Sequence, residues 1–262
     1  VKPVVLMRGS LAEENEFEIC SQYFKTFRNR TECSDSLVIA RYSALPFYRE
    51  LEQDLANHNS QLINSYQQHS WIANFDYYHE LKEFTPESWF DYDFYHCQHP
   101  GPFVVKGKTN SRKFRWNEMM FAATKAEALR IAGELLVDGV IGEQGVIYRE
   151  YVPLKTYEIG LNGLPFTDEY RFFFYKETML AHGYYWSIAK DVNLVAPADC
   201  ILFAQTIAEI VAKFVNFFVL DIAQTESGEW ILIEVNDGQM SGLSEVNPNE
   251  LYQKLSLTVK EN

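Results

Sequence analysis

Residues 217–243 read FFVLDIAQTESGEWILIEVNDGQMSGL, two apolar runs around Ser227-Gly228 in which Asp221, Glu234 and Asn236 take places that the pattern would give to apolar side chains. A Ser-Gly pair suits a two-residue hairpin loop, because glycine takes the positive φ such turns need. That loop sets a register. Glu226 opposes Glu229, Thr225 opposes Trp230, and Asp221 lies directly across from Glu234, with Asn236 two residues on along the same face. Val219, Ala223 and Leu232 share that face, while Leu220, Ile222, Ile231, Ile233 and Val235 fill the other. A hairpin whose charged face met water would not be apolar on both sides. This one belongs inside a sheet, where unpaired carboxylates are costly. Directly opposed carboxylates have Cβ atoms about 5 Å apart and repel, so the pair asks for a cation. Two carboxylates and an amide oxygen suit a hard ion such as Mg2+, which is often shared with nucleotide phosphates. One ion or a bridged pair fits the spacing, with Mn2+ as a substitute.

The rest of the chain bounds this reading. Its 262 residues, 47% hydrophobic and 15% aromatic, supply enough core for one large domain or two to three lobes. A net charge of −13 argues against nucleic acid or an anionic membrane as a general partner, since both select basic surfaces. Cys20, Cys33, Cys97 and Cys200 form no Cys-x-x-Cys pair, so reduced thiols and a cytoplasmic location are expected. YHCQH at 95–99 has the look of a zinc cluster but no second half at usable spacing, and reads as a surface loop. No secretory signal pattern is visible. The most apolar long stretch, 207–223, carries Glu209, Lys213 and Asp221 and reads as a helix followed by a strand, not a membrane span.

Along the chain, VKPVVLMRGS (1–10) and LVIARYSALPFYRELEQDLANHNSQLIN (37–64) alternate strand, turn and helix, the mark of a small α/β lobe with a parallel sheet and a helix over 47–57. Residues 67–100 give no clear pattern. FVVKGK (103–108) predicts a strand, TKAEALRIAGELLV (124–137) a helix opened by a Thr124-x-x-Glu127 capping box, and GVIYREYVPL (145–154) another strand. TYEIGL (156–161), an Asn162-Gly163 turn, EYRFFFY (169–175), a Lys176-Glu177 turn and TMLAHGYYW (178–186) predict a meander, followed by a helix over 197–215.

Neither a P-loop nor a Gly-x-Gly-x-x-Gly fingerprint is present. What remains is an ordered set: a strand lysine, a strand ending Glu-Tyr-Val, a later glutamate, an arginine-bearing strand and the Asp…Glu-x-Asn hairpin. From about residue 100 to 245 that order resembles the ATP-grasp superfamily, and within it a clade of small bacterial and phage proteins. The resemblance implies an α+β fold in which two α+β lobes grip ATP between antiparallel sheets, preceded by a small α/β N-terminal lobe. The expected divisions are 1–100, 101–152 and 153–262.

The same resemblance implies roles for particular residues. Lys106, with Lys108 as its competitor, would reach the α- and β-phosphates. Glu150, Tyr151 and Val152 would form the adenine-binding hinge, and Glu158 would accept from the ribose hydroxyls. Arg171 would bind the γ-phosphate and an acyl phosphate, oriented by or simply paired with Glu169. Asp221, Glu234 and Asn236 match the family's magnesium ligands, and Gly238, Ser241 and Gly242 its small-residue loop near a substrate carboxylate. His182 and Lys190 are further candidates for phosphate or substrate contact. The 109–120 loop lacks a glycine run, which leaves open whether Ser111, Arg112 and Lys113 cover phosphates. LINSYQQH (62–69) resembles an Asn-Ser segment of relatives, and Arg8 would face the cleft and hold an anionic substrate. The implied activity is an ATP-dependent ligase joining a small-molecule or peptide carboxylate to an amine. A small-molecule kinase and a non-catalytic ATP-binding scaffold are the rival readings, and the resemblance admits a homodimer.

Overall fold

The computed structural model describes residues 2–8, 14–187 and 195–260. Its first layer is parallel, as the alternation of apolar strand and helix predicts. β1 (Lys2–Leu6), β2 (Lys25–Phe27), β3 (Ser36–Ala40) and β4 (Gln61–Leu62) stand in the order β2-β1-β3-β4, with α1 (Glu14–Tyr23) and α2 (Tyr48–Ala56) as crossovers. Parallel strands buried on both faces read as continuous apolar runs. Here Val4, Leu6 and Val38 pack on Leu51 and Leu55 of α2, while Val5 and Ile39 pack toward Cys20 of α1.

The unassigned stretch becomes α3 (Tyr66–Ala73), α4 (Tyr78–Leu81), β5 (Ser88–Phe90) and α5 (Asp91–His96). β6 (Phe103–Gly107), α6 (Trp116–Met119), β7 (Phe121–Ala122), α7 (Lys125–Leu136), α8 (Ile141–Gln144) and β8 (Val146–Glu150) follow. The antiparallel order β5-β8-β6-β7 places Ser88–Phe90 in this central sheet, so a lobe boundary at residue 100 cuts through it. The capping box forms as expected, with the Thr124 side chain accepting from the Glu127 N–H and Glu127 accepting from the Thr124 N–H. Ala128, Ile131, Ala132 and Leu135 then lie on one helix face against Phe103 and Val105.

β9 (Thr156–Ile159) turns through Asn162-Gly163 into β10 (Pro165–Thr167), a separate two-stranded sheet, where a direct turn into residues 169–175 was expected. Thr167 and Asp168 carry the chain onto the last sheet. That sheet holds β11 (Glu169–Tyr175), β12 (Thr178–Tyr184), β13 (Phe217–Gln224) and β14 (Trp230–Asp237) in the antiparallel order β12-β11-β13-β14. α9 (Ala198–Val211) covers one face and α10 (Pro248–Thr258) lies toward the N-terminal lobe. Among the described residues no helix is long and apolar enough to cross a membrane.

The β13–β14 turn differs from expectation by one residue. The Gly228 N–H donates to the Thr225 carbonyl at 3.0 Å, Gly228 has φ +91°, and the Thr225 N–H donates to the Glu229 carbonyl at 2.8 Å. The loop is therefore three residues, 226–228, closed by a glycine in the left-handed region. Gln224 opposes Trp230, Ala223 opposes Ile231 and Ile222 opposes Leu232, yet Asp221 still opposes Glu234. The unpaired residue is Ile233, a β-bulge. Its shift cancels that of the turn. Between turn and bulge the faces are exchanged: Ile231 and Ile233 stand on the Glu234 side, and Leu232 enters the core with Leu220 and Ile222, the reverse of the sequence expectation.

Candidate active site

β13 sits between β11 and β14, so Asp221 has Arg171 directly across on one side and Glu234 on the other. Arg171 Nε and Nη2 donate to the two oxygens of Asp221 at 2.8 Å each, a bidentate pair that is almost wholly buried. Its third arm, Nη1, donates to the Gly242 carbonyl at 2.8 Å, and the guanidinium lies 4.8 Å from the Tyr185 ring centre. Lys106 reaches across from β6 and donates to Glu234. Burial pushes the Glu234 carboxyl up, but Lys106 beside it outweighs that and holds it below the usual range. Asn236 Nδ2 donates to Asp221 at 3.0 Å and to Glu234 at 3.3 Å.

Glu169, on the Arg171 face of β11, does not pair with Arg171. It accepts from the Thr167 hydroxyl at 2.8 Å, and burial together with the Asp221 charge pushes its carboxyl up to about 8. Lys113 donates to the Tyr185 hydroxyl at 3.0 Å and lies over the Trp186 ring, and burial pulls its ammonium pKa down.

These groups floor a cleft between the central and last sheets. Its apolar end is formed by Val104, Met120, Tyr151, Val152, Ile231 and Ile233; its polar end carries Lys106, Lys113, Arg149, Glu169 and Glu234. A second cavity shares Ser111, Tyr185 and Glu234 with the first and continues past Arg171 and Asn236 to His69, Ser241 and Gly242.

Of the residues expected from sequence, the structure brings together Lys106, Glu150, Tyr151, Val152, Arg171, Asp221, Glu234, Asn236, Ser241 and Gly242. Lys108 lies past the end of β6, its N–H bonded to the Gly145 carbonyl, outside both cavity linings. Glu158 is exposed on β9 opposite Phe166 and is in neither cavity lining, although Thr156, two residues earlier on the same strand, lines the cleft. Arg8 is exposed, over the Tyr42 ring at 5.1 Å, and is in neither cavity lining. Gly238 packs on the Phe217 ring beneath the loop. His182 stands against Phe172, and Lys190 lies outside the described residues. Arg112 is tied to Asp138, while Ser111 and Lys113 line the cleft.

Arg41 and His69 had escaped notice. Arg41 follows β3 as Arg8 follows β1, and it is Arg41 that is buried. Its Nη1 donates to the carbonyls of Gly238 at 2.6 Å and Ser241 at 2.8 Å, fixing the loop beside the second cavity. His69 Nδ1 is 3.1 Å from Asp237, under the stacked ring of Tyr48.

The donor set fits a hard cation. Both carboxylates are adjacent, and the Asn236 amide, turned over, presents its oxygen to the same point. Among the described residues no cluster of three or more His, Cys, Asp or Glu side chains stands at ligating distances. An ion here would take two carboxylates and an amide from the chain and its remaining oxygens from phosphate or water.

A family model for the ATP-grasp domain, R2K clade family 3, matches residues 96–255. The chain belongs to that family. The ATP-grasp fold expected from the resemblance is also the fold of solved structures similar to it. A RimK domain ATP-grasp protein from Sphaerobacter thermophilus DSM 20745 has 12% identity and a TM-score of 0.58, over 97% of this chain and 99% of that one. D-alanine–D-alanine ligase from Bacillus anthracis, complexed with ATP, has 10% identity and a TM-score of 0.59 over 100% and 99%. D-cycloserine synthetase DcsG has 12% identity and a TM-score of 0.58 over 98% and 99%. A search of curated proteins finds no match. At such identities the likeness is one of fold, and the ATP-grasp chain spans nearly the whole of each.

Proposed function

We propose that this ATP-grasp protein is an ATP- and Mg2+-dependent ligase that joins a carboxylate to an amine through an acyl phosphate. The observation that carries the reading is the cross-cleft pairing of Lys106 with Glu234, next to the in-sheet pair of Arg171 with Asp221 and beside an apolar slot closed by Tyr151 and Val152. The slot suits an adenine ring, with Glu150 and the hinge backbone beside it. Asp221, Glu234 and Asn236 would hold Mg2+, which supplies neutralisation of triphosphate charge. Lys106 and Arg171 would then leave the carboxylates for phosphate oxygens, Lys106 as a point charge and Arg171 as a planar fork.

A substrate carboxylate in the second cavity would attack the γ-phosphorus, releasing ADP. An amine would next attack the acyl carbon, and the C–O bond to phosphate would break. No protein nucleophile is required, because positioning and charge stabilisation supply the rate. The loop 238–242, held by Arg41, and the N-terminal lobe would shape the acceptor end. The similar ligases lend support: one is a D-alanine–D-alanine ligase, and another was solved in complex with a precursor peptide.

Calorimetric titration with ATP, with and without Mg2+, tests the reading on the wild type and on Asp221→Ala/Glu234→Ala. Magnesium-dependent binding lost in the double variant supports it; no binding by folded wild type ends it. Screening carboxylate and amine pairs for ADP then separates the chemistries. Free phosphate that appears only with both substrates marks a ligase, and phosphate retained on one product marks a kinase.

A further inference from the structure

We propose that Arg149 is a positioning residue: by fixing the Ile233 bulge it sets which β14 side chains floor the nucleotide cleft. The proposal rests on the reading of that cleft as the ATP site.

Two registers of the β13–β14 hairpin satisfy its carboxylates. In one, a two-residue Ser227-Gly228 loop runs without a bulge, Ala223 faces Leu232, and Leu232 looks into the cleft. In the observed one, a three-residue loop is offset by the bulge, Ala223 faces Ile231, and Ile231 and Ile233 look into the cleft. Both keep Asp221 opposite Glu234. The remaining combination, a three-residue loop without a bulge, would set Glu234 against Leu220 and drive its carboxylate into the core, where burial is costly. The choice between the first two therefore falls to local bonds around residues 232 and 233.

Those bonds come from outside the hairpin. A bulge leaves its extra residue out of the ladder, and here the Ile233 carbonyl accepts from Arg149 Nη1 at 2.6 Å. Arg149 Nη2 donates to the Thr85 hydroxyl at 2.5 Å, and that hydroxyl donates to the Leu232 carbonyl at 2.7 Å. The Leu232 N–H in turn donates to the Phe84 carbonyl at 2.7 Å. Arg149 stands on β8, opposite Ser88, whose hydroxyl accepts from Nε at 3.2 Å. The guanidinium is buried, with the Phe75 ring centre 5.6 Å away, and every hydrogen bond just named goes to a neutral group. Burying such a charge on neutral hydrogen-bond partners is expensive, and the nearby Glu234 carboxylate offsets only part of it, since burial still pulls the Arg149 pKa down. What it secures is a carbonyl of the opposite sheet, at the one residue where the register shifts.

The test combines nucleotide binding with a direct reading of register. Two cysteine reporters are made: Ala223→Cys/Ile231→Cys and Ala223→Cys/Leu232→Cys. Directly opposed Cα atoms fall in the range a disulfide spans, and the four native cysteines are buried. With Arg149 present, only the 223/231 pair should cross-link on mild oxidation. Adding Arg149→Met should transfer cross-linking to the 223/232 pair, and in the chain without reporters should weaken ATP binding by about tenfold or more. Arg149→Lys and Thr85→Val, which perturb less, should move both readouts the same way and carry the test if Arg149→Met does not fold. Unchanged cross-linking in the 223/231 pair across these variants overturns the proposal. A wild type that binds no ATP would instead end the nucleotide reading, with the cross-links still deciding the role of Arg149.

Discussion

Arg171 meets Asp221 through two hydrogen bonds of 2.8 Å in an almost wholly buried pair, so neither group is free until something replaces its partner. Removing one partner of a buried ion pair leaves the other unpaired, at a cost of about 3–5 kcal/mol. Arg171→Leu should lose that much in urea unfolding. Adding Asp221→Leu should restore most of it, since no orphaned charge then remains. A double variant no more stable than the single one would show that the pair does not dominate.

Glu169 makes stability depend on pH in an unusual direction. An unfolded glutamate titrates near about 4.3, whereas in the folded chain Glu169 keeps its proton up to about 8. Between those values the folded state binds the extra proton. Its contribution is therefore full below the lower value, declines as pH rises through the window, and levels off above the upper one. Glu169→Gln removes the decline, so its Tm should gain on the wild type between about pH 5 and 8. A Tm difference that stays constant over that range would exclude Glu169 as the titrating group.

The role of Glu158 toward the ribose hydroxyls is open to a direct test. Glu158 is exposed on β9 and outside the cleft lining, so its replacement by alanine should change ATP affinity by less than about tenfold. Calorimetry giving a larger loss would return the ribose hydroxyls to Glu158.

Two glycines of the 238–242 loop should differ. A Cβ on Gly238 would lie 2.8 Å from the Phe217 ring, and one on Gly242 would come no closer than 4.0 Å to Arg171. Overpacking at Gly238→Ala should cost about 1–3 kcal/mol in chemical unfolding. Gly242→Ala should be close to neutral.

What was legible in the chain were the residues that violate a pattern. Asp221, Glu234 and Asn236 interrupt apolar strands and stand out by pattern, whereas Lys106 is reached only through the order of motifs that carries the resemblance. The bulge could not, because Ile231, Leu232 and Ile233 are all apolar and either alternation reads equally well. The turn misled for a related reason: Ser227-Gly228 fits a two-residue loop, and only the Thr225 carbonyl bonding Gly228 shows that it holds three. Arg8 and Arg41 stand beside each other at the ends of neighbouring parallel strands, alike in sequence context. Which one turns inward depends on carbonyls almost 200 residues away.

Asn64 is bonded to Phe217 on both sides, its amide nitrogen donating to the Phe217 carbonyl at 2.6 Å and its oxygen accepting the Phe217 N–H at 2.8 Å. It thus acts as a one-residue strand at the end of β13, supplied by the N-terminal lobe. With Arg41 holding the carbonyls of Gly238 and Ser241, the first 64 residues finish the hydrogen bonding of the last sheet. A fragment trimmed to residues 96–255 would leave the Phe217 backbone and the Gly238 and Ser241 carbonyls without these partners.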